Sequence, residues 1–239
     1  MPNLFTCLNL CSGCVAVVMV FRGQFDLAAY LVFIAVFFDF LDGLSARVLN
    51  VPSAIGKDLD SLADMVTFGL VPGAILFQFL HQSDHSLLYM SKNFYRYFQF
   101  FPFIVTVFSA LRLAKFNNDT RQKESFIGLP TPANTLFIVS FPLILHHDTF
   151  HLSWLILHPY FIIIISVILS YLMVAELPLF ALKFKTMSWK DNRYQYTLLL
   201  ASVALASIFL YVAIPLIILL YLFLSLIRNL FVLNAKTKT

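Results

Sequence analysis

Residues 39–64 read DFLDGLSARVLNVPSAIGKDLDSLAD and carry five aspartates, of which Asp39, Asp42, Asp60 and Asp64 form two pairs spaced by three and four residues. The first pair lies late in one apolar run and the second pair lies early in the next, so all four fall at one predicted membrane depth. An aspartate at the centre of a membrane helix costs about 2.5 to 3.5 kcal/mol, and less near the interface. Four such residues imply a bound cation or a polar cavity.

The rest of the chain has the composition of a membrane protein. Of its 239 residues, 60% are hydrophobic and only 12% are charged, which leaves too little polar surface for a soluble globule. No linker rich in Gly, Ser or Pro divides it, so we expect one domain over residues 1–239. The composition therefore predicts an all-α polytopic helix bundle in a lipid bilayer.

Apolar runs long enough to cross a bilayer, about 20 residues each, recur along the chain. Eight transmembrane helices are predicted near 4–21, 27–49, 56–80, 97–116, 131–147, 153–175, 194–212 and 214–233. The last two come from one run, Tyr194 to Leu233, which is about twice the length that one crossing requires. We place the turn between them near Val212 to Pro215.

The basic residues predict how these helices are oriented. With a cytoplasmic N-terminus, 13 of the 16 Lys and Arg residues face the cytoplasm, and only Arg22, Lys92 and Arg96 lie outside. The positive-inside rule therefore predicts that both termini are cytoplasmic. Because the basic residues flank apolar runs, the net charge of +4 does not indicate nucleic-acid binding.

The four aspartates are predicted to converge. At about 100° per residue, Asp39 and Asp42 share one face of their helix with Gly43 and Ala46, and Asp60 and Asp64 are one turn apart on the next helix. The loop Asn50 to Ile55 contains Pro52 and is short enough to make the helices antiparallel neighbours. Structural ion pairs are the alternative, with Arg47, Lys57 or Arg112 as partners. A carboxylate-rich site instead suits a hard divalent ion, Mg²⁺ or Mn²⁺.

The same 26 residues fit the pattern D-x2-D-G-x2-A-R-x8-G-x3-D-x3-D with every fixed position filled. This pattern resembles the signature of the CDP-alcohol phosphotransferase family. The resemblance to the family branch that makes phosphatidylserine extends to four further stretches. They are PNLFTCLNLCSG at 2–13, FGLVPG at 68–73, SALRLAKFN at 109–117 and FIGLPTPAN at 126–134.

The resemblance implies a reaction and roles for the site residues. The chain would transfer the phosphatidyl group of CDP-diacylglycerol to L-serine, in phospholipid biosynthesis at a bacterial or archaeal-type cytoplasmic membrane. Asp39, Asp42, Asp60 and Asp64 would hold one or two divalent ions, and Asp64 would be the general base. A homodimer is also implied. CDP-diacylglycerol would be bound by Asp42, Gly43, Ala46, Arg47, Gly56 and Lys57, and Asn3, Thr6 and Asn9 would reach its cytidine from the first helix.

An amino-acid acceptor brings a carboxylate, which needs a cation nearby. Arg112 and Lys115 are spaced i and i+3 at the cytoplasmic end of the fourth span and are our candidates. Alternatively, both anchor the helix at the lipid headgroups. Thr131 and Asn134 would add hydrogen bonds to serine, or they cap the fifth span.

Other functions remain open from the sequence. The same chemistry with glycerol 3-phosphate or inositol phosphate would need a denser basic pocket. A cation transporter would also place acids in the membrane, although no further span carries an acid at its midplane. A purely structural protein gains nothing from an acidic cluster.

Two smaller groups of metal-ligand residues also occur. Cys7, Cys11 and Cys14 are spaced as one helical face and are interpreted as a buried row of small side chains rather than a zinc site or a disulfide. His146, His147 and His151 are interpreted as a solvated outer loop rather than a metal site.

Overall fold

The computed structural model of the protein describes residues 2–49, 54–119, 126–148, 150–180, 188–189 and 192–236. The predicted all-α fold is confirmed within these residues. The α-helices are α1 (Pro2–Phe21), α2 (Phe25–Leu49), α3 (Ala54–Asp64), α4 (Val71–Gln82), α5 (Lys92–Phe98), α6 (Ile104–Asn118), α7 (Thr131–His147), α8 (Ser153–Ile156), α9 (Pro159–Val174), α10 (Arg193–Phe209) and α11 (Ala213–Lys236).

Short elements connect or interrupt these helices. A π-helical segment, Met65–Leu70, joins α3 to α4 without a break, and 3-10 turns occur at His85–Leu88, Phe101–Phe103 and Leu210–Val212. The sequence did not predict the one β-pair among the described residues, in which β1 (Phe126–Ile127) lies antiparallel to β2 (Pro178–Leu179).

Among the described residues, five helical stretches are long and apolar enough to cross a membrane. They are Asn3–Phe21, Phe25–Ser45, Ile55–Gln82, Lys92–Asn118 and Arg193–Leu230. Two shorter helices, α7 with 17 residues and α9 with 16, coincide with the predicted fifth and sixth spans. The bundle therefore agrees with an integral membrane protein, whereas the count of eight spans, the orientation of the termini and the single domain stay predictions.

The predicted turn in the last apolar run lies close to the observed one. Leu210 has a positive φ of 47° and begins the 3-10 turn Leu210–Val212, after which α11 starts at Ala213 and packs back against α10. Pro215 lies in the first turn of α11, a position where helices tolerate proline. The chain therefore reverses a few residues before the proline.

The stretch Ile55–Gln82 lies at the centre of the bundle, with two thirds of its most apolar window buried. Its side chains Phe68, Ile75, Leu76 and Leu80 are fully buried. The outer helices instead expose large apolar side chains, among them Phe37 on α2. A soluble protein rarely exposes so much apolar surface, and lipid chains would cover it.

One prediction about α1 was wrong. Cys7, Cys11 and Cys14 are free thiols and all three are exposed, so they do not form a buried row. The buried stripe of α1 is instead the adjacent one, made of Thr6, Asn9, Gly13, Ala16 and Val20. The polar members of that stripe face the aspartates of α2 and α3, which is why the neighbouring cysteine face turns outward.

One end of the bundle, which we call the site end, brings together the ends of five helices. They are the start of α1, the end of α2, the start of α3, the end of α6 and the start of α7, and long-range hydrogen bonds connect them. Lys115 at the end of α6 also reaches Val174 at the end of α9. The side chain of Arg47, and the residues Arg121, Lys123, Lys183, Lys185, Lys190 and Lys238, lie outside the described residues.

Candidate active site

Three aspartates from α2 and α3 meet at the site end, where both helices pack against α1. Asp39, Asp60 and Asp64 each offer one carboxylate oxygen, and these oxygens all lie within 4.8 Å of one another. Asp64 is buried, and the other two are half-buried. The i, i+4 spacing of Asp60 and Asp64 puts both on one face of α3, opposite the single turn of α2 that carries Asp39.

Asp42 lies beside this group but is not one of its three members. It is 8% exposed and accepts a hydrogen bond of 2.6 Å from the Thr6 hydroxyl of α1. Its negative charge still acts on both Asp39 and Asp60. The structure thus brings three of the four predicted ligands together, with the fourth nearby and bound to a neutral partner.

The basic side chains that the structure describes form their closest polar contacts away from the acidic group. Across the described ranges, no lysine or arginine forms an ion pair with Asp39, Asp60 or Asp64, and the Lys57 ammonium donates instead to the Asn117 carbonyl at 3.1 Å. Carboxylates this close repel one another unless a cation or protons lie between them. The donor set, three carboxylate oxygens at short mutual distances, fits a divalent cation such as Mg²⁺ or Mn²⁺.

Asp64 has the most developed surroundings of the three. The Asn9 side-chain amide donates to one of its carboxylate oxygens at 3.2 Å, and the positive charge of Arg112 acts on it from α6. Asn9 is fully buried, and its backbone carbonyl accepts a hydrogen bond from the Thr67 hydroxyl. The contact of Asn9 with Asp64 was not predicted from the sequence, although Asn9 follows Thr6 by three positions on the same face of α1.

The residues predicted to bind CDP-diacylglycerol lie on α1, α2 and α3. Gly43 on α2 is exposed, Gly56 on α3 is half-buried and Asn3 on α1 is exposed. Thr6 is buried against Asp42. The side chains of Ala46 and Arg47, and most of the loop Asn50 to Ile55, lie outside the described residues.

A second group of buried polar side chains lies near Asp64, where α6 meets α7. Arg112 is 7% exposed, its Nη1 atom lies 3.5 Å from the Thr131 hydroxyl, and its guanidinium stacks over the Phe116 ring. Thr131 and Asn134 are fully buried. The Arg112 Nε atom and both polar atoms of the Asn134 side chain are buried with no hydrogen-bond partner among the described residues. Buried polar atoms of this kind normally have a partner, so this group is suited to a polar ligand.

Lys115 points elsewhere. Its ammonium lies 3.6 Å from the Glu176 carboxylate and 3.4 Å from the Val174 carbonyl, beyond the end of α9. No sequence pattern predicted the pairing of Lys115 with Glu176, because 61 positions separate the two residues and Glu176 follows an apolar helix.

The histidines at the opposite end contact separate partners. The closest approach of His151 is 3.2 Å to Asp148, His147 lies 3.0 Å from the Leu143 carbonyl, and His146 lies 4.0 Å from Asp26. Within the described part of the chain, these histidines do not form a group that could hold a metal ion.

Comparisons with known proteins give matches along the first three quarters of the chain. A family model described as CDP-alcohol phosphatidyltransferase matches residues 1–176, which ends just after α9. The chain is 36% identical over 140 residues to a CDP-diacylglycerol–serine O-phosphatidyltransferase of Helicobacter pylori (strain J99), covering 58% of this chain and 55% of the relative.

Two further relatives extend the comparison. A CDP-diacylglycerol–serine O-phosphatidyltransferase of Bacillus subtilis is 34% identical over 166 residues, covering 64% of this chain and 84% of the relative. An archaetidylserine synthase of Methanothermobacter thermautotrophicus is 33% identical over 145 residues, covering 59% of this chain and 57% of the relative. The chain thus spans little more than half the length of the Helicobacter and Methanothermobacter relatives.

Proposed function

The chain belongs to the CDP-alcohol phosphatidyltransferase family, and from this we propose that it transfers the phosphatidyl group of CDP-diacylglycerol to the hydroxyl group of L-serine, releasing CMP. The observation that carries the proposal is the pairing of two polar sites on neighbouring helices. One is the carboxylate group Asp39, Asp60 and Asp64, and the other is the pocket of Arg112 and Asn134. Relatives named for this reaction support serine as the acceptor.

The metal site would be formed by Asp39, Asp60 and Asp64, with Asp42 as a fourth carboxylate at its side. One or two bound divalent ions, Mg²⁺ or Mn²⁺, would neutralise charge on the pyrophosphate and on the departing CMP. Asp42, Gly43, Ala46, Arg47, Gly56 and Lys57, with Asn3 and Thr6, would line the CDP-diacylglycerol site.

Asp64 would act as the general base. Because Asn9 holds one of its carboxylate oxygens, the side chain has a fixed direction and its other oxygen can accept the proton of the serine hydroxyl. The serine oxygen then forms a bond to the phosphorus of the phosphatidyl group. The bond from that phosphorus to the oxygen bridging to CMP breaks, and its electron pair leaves with CMP.

The pocket beside Asp64 supports an α-amino acid as the acceptor. The Arg112 guanidinium and the Asn134 NH₂ group would bind the serine carboxylate, and the Asn134 carbonyl oxygen would accept from its ammonium group. Thr131 would complete the pocket, whereas Lys115, engaged with Glu176, would act at its rim. Glycerol 3-phosphate and inositol phosphate carry no ammonium group and would leave the Asn134 oxygen without a donor.

The placement in the membrane and the assembly are part of the same proposal. The basic residues favour a site end that faces the cytoplasm, where serine and CDP-diacylglycerol are both accessible. The family resemblance favours a homodimer in the bilayer, which cross-linking in native membranes would test. A cation transporter is less well supported, because the intramembrane acids lie at one end of the bundle and not along a path.

The decisive experiment uses purified protein in detergent with labelled serine, CDP-diacylglycerol and Mg²⁺ or Mn²⁺. A chloroform-soluble labelled product, together with an equal amount of CMP, is expected from the wild-type protein. Asp64→Asn should bind nucleotide but lower turnover by about 10²-fold to 10⁴-fold, because the proton acceptor is lost. Glycerol 3-phosphate and inositol phosphate are offered in parallel, and turnover with either one but not with serine would contradict the proposal.

A further inference from the structure

The segment FGLVPG at residues 68–73 begins four residues after Asp64. Its first three residues lie in the π-helical segment Met65–Leu70, and in this segment the Val71 N–H bonds the Val66 carbonyl, five residues back. A π-helical turn adds about one residue to an α-helical turn, so the helix beyond it is rotated by about 100°. This rotation lets Asp60 and Asp64 face α2 while α4 faces the core.

Pro72 removes the backbone donor of one carbonyl in the π-helical segment. In α-helical register the Phe68 carbonyl would accept from the N–H of residue 72, but Pro72 has no N–H. The hydroxyl of Thr135 on α7 lies 2.8 Å from this carbonyl and 2.9 Å from the Thr131 carbonyl of its own helix, so its single proton is shared between the two, and Thr135 and Phe68 are fully buried. Within a bilayer, side-chain hydroxyls commonly satisfy the carbonyls that a proline frees.

Two more threonine hydroxyls hold the same segment. Thr106 on α6 donates to the Gly69 carbonyl at 2.9 Å, and Thr67 itself donates to the Asn9 carbonyl at 3.2 Å. Close approach requires glycine on the facing helices, because a Cβ atom at Gly73 would overlap the Thr106 hydroxyl and one at Gly13 would overlap the Thr67 hydroxyl. Three neighbouring helices therefore fix the segment that directly follows Asp64.

We infer that Thr135 and Thr106 are positioning residues, which fix the π-helical segment and thereby the direction in which Asp64 presents its carboxylate to Asp39 and Asp60. Thr135 directly follows Asn134, so α7 would both contact the serine, through Asn134, and fix the segment that follows Asp64, through Thr135. The kinetic part of this inference rests on the proposed function. The part that concerns metal affinity rests only on the carboxylate group.

The test compares Thr135→Val, which keeps the shape and removes the hydroxyl, with Thr135→Ser, which restores it. Thr106→Val is a second, independent variant. The matched control is Ser140→Ala, since Ser140 is an equally buried hydroxyl on α7 whose one partner within the described ranges is the Phe137 carbonyl of its own helix. Each protein is measured for Mn²⁺ affinity, from the electron paramagnetic resonance signal of free Mn²⁺, for kcat with serine, and for its unfolding temperature.

Both valine variants should weaken Mn²⁺ binding about tenfold and lower kcat by about tenfold or more, since small displacements of a catalytic group are costly. Thr135→Ser should regain both properties, and Ser140→Ala should lower only the unfolding temperature. Mn²⁺ affinity within about twofold of wild type in both valine variants would overturn the inference, as would an equal loss in Ser140→Ala or no recovery in Thr135→Ser. If wild type binds Mn²⁺ but forms no product from serine, the proposed function fails and Mn²⁺ affinity alone decides this inference.

Discussion

Asn9 on α1 donates its side-chain amide to the carboxylate of Asp64 on α3, and the two residues lie 55 positions apart in the sequence. This hydrogen bond ties the first helix of the chain to the proposed general base. Because both residues are buried, neither can exchange its partner for water without moving a helix. Loss of this contact should therefore affect catalysis as well as stability.

Asn9→Ala should lower kcat about tenfold, because the carboxylate of Asp64 loses the donor that orients it. It should also destabilise the protein by about 1 to 3 kcal/mol, the usual cost of leaving a buried polar group without its partner. Steady-state CMP release and thermal unfolding in detergent measure the two effects. Cys11→Ala, an exposed position on the same helix, is the control, and equal kcat values for the two variants would contradict the role of Asn9.

Activity should require divalent ions, and removing a carboxylate ligand should raise the ion concentration that the enzyme needs. Chelation with EDTA should abolish CMP release, and Mg²⁺ or Mn²⁺ should restore it. Asp39→Asn and Asp60→Asn should each raise the metal concentration for half-maximal activity about tenfold or more, because a charged ligand becomes neutral.

Asp58 provides the matched control for that series. It lies on α3 two residues before Asp60, is exposed and lies outside the group of three carboxylates. Asp58→Asn should leave the metal requirement unchanged. A shift in this control as large as that in Asp60→Asn would mean that general surface charge, and not ligation, sets the requirement.

The sequence predicted the helices and the acidic group because both depend on local patterns. Long apolar runs set the helices, and the i, i+3 and i, i+4 spacings of the aspartates set their faces. The shortness of the stretch around Pro52 predicted that α2 and α3 are neighbours. In the structure both helices pack against α1, and the carboxylates of Asp39, Asp60 and Asp64 meet there.

The contacts that the sequence did not predict join segments far apart in the chain. Thr6 meets Asp42, Lys57 meets the carbonyl of Asn117, and Lys115 meets Glu176, and each pair depends on how whole helices pack. The π-helical segment also escaped prediction, because its residues are as apolar as those of an α-helix. Pro72 was its one local sign, and the Thr135 hydroxyl that compensates for it lies more than 60 positions away.

Arg112 should govern the affinity for serine more than that for the lipid. Arg112→Ala should raise the KM for serine about tenfold to a hundredfold, because a charge-assisted hydrogen bond to the carboxylate is lost, and change the KM for CDP-diacylglycerol much less. Initial rates with each substrate varied in turn separate the two constants. Equal increases in both would argue that Arg112 holds the fold rather than the acceptor.

Two other basic residues serve as comparisons for Arg112. Arg96, an exposed residue of α5 remote from the site end, should tolerate alanine with both constants unchanged. Lys115→Ala should have an intermediate and smaller effect than Arg112→Ala, because it breaks a partly exposed ion pair with Glu176, and such pairs contribute about 0.2 to 1 kcal/mol.

Asn134 should distinguish an amino acid from an acceptor that lacks the ammonium group. The probe is 3-hydroxypropanoate, which keeps the hydroxyl and carboxylate of serine but has no amine. The wild-type protein should strongly prefer serine, since an unpaired buried oxygen at Asn134 opposes the analogue. Asn134→Leu should reduce kcat/KM for serine about a hundredfold while changing that for the analogue far less, so that the preference shrinks. Asn118→Leu, at the exposed end of α6, should leave the preference intact. If Asn134→Leu lowered kcat/KM for both acceptors by the same factor, Asn134 would not contact the ammonium group, and the argument for an amino-acid acceptor would rest on Arg112 alone.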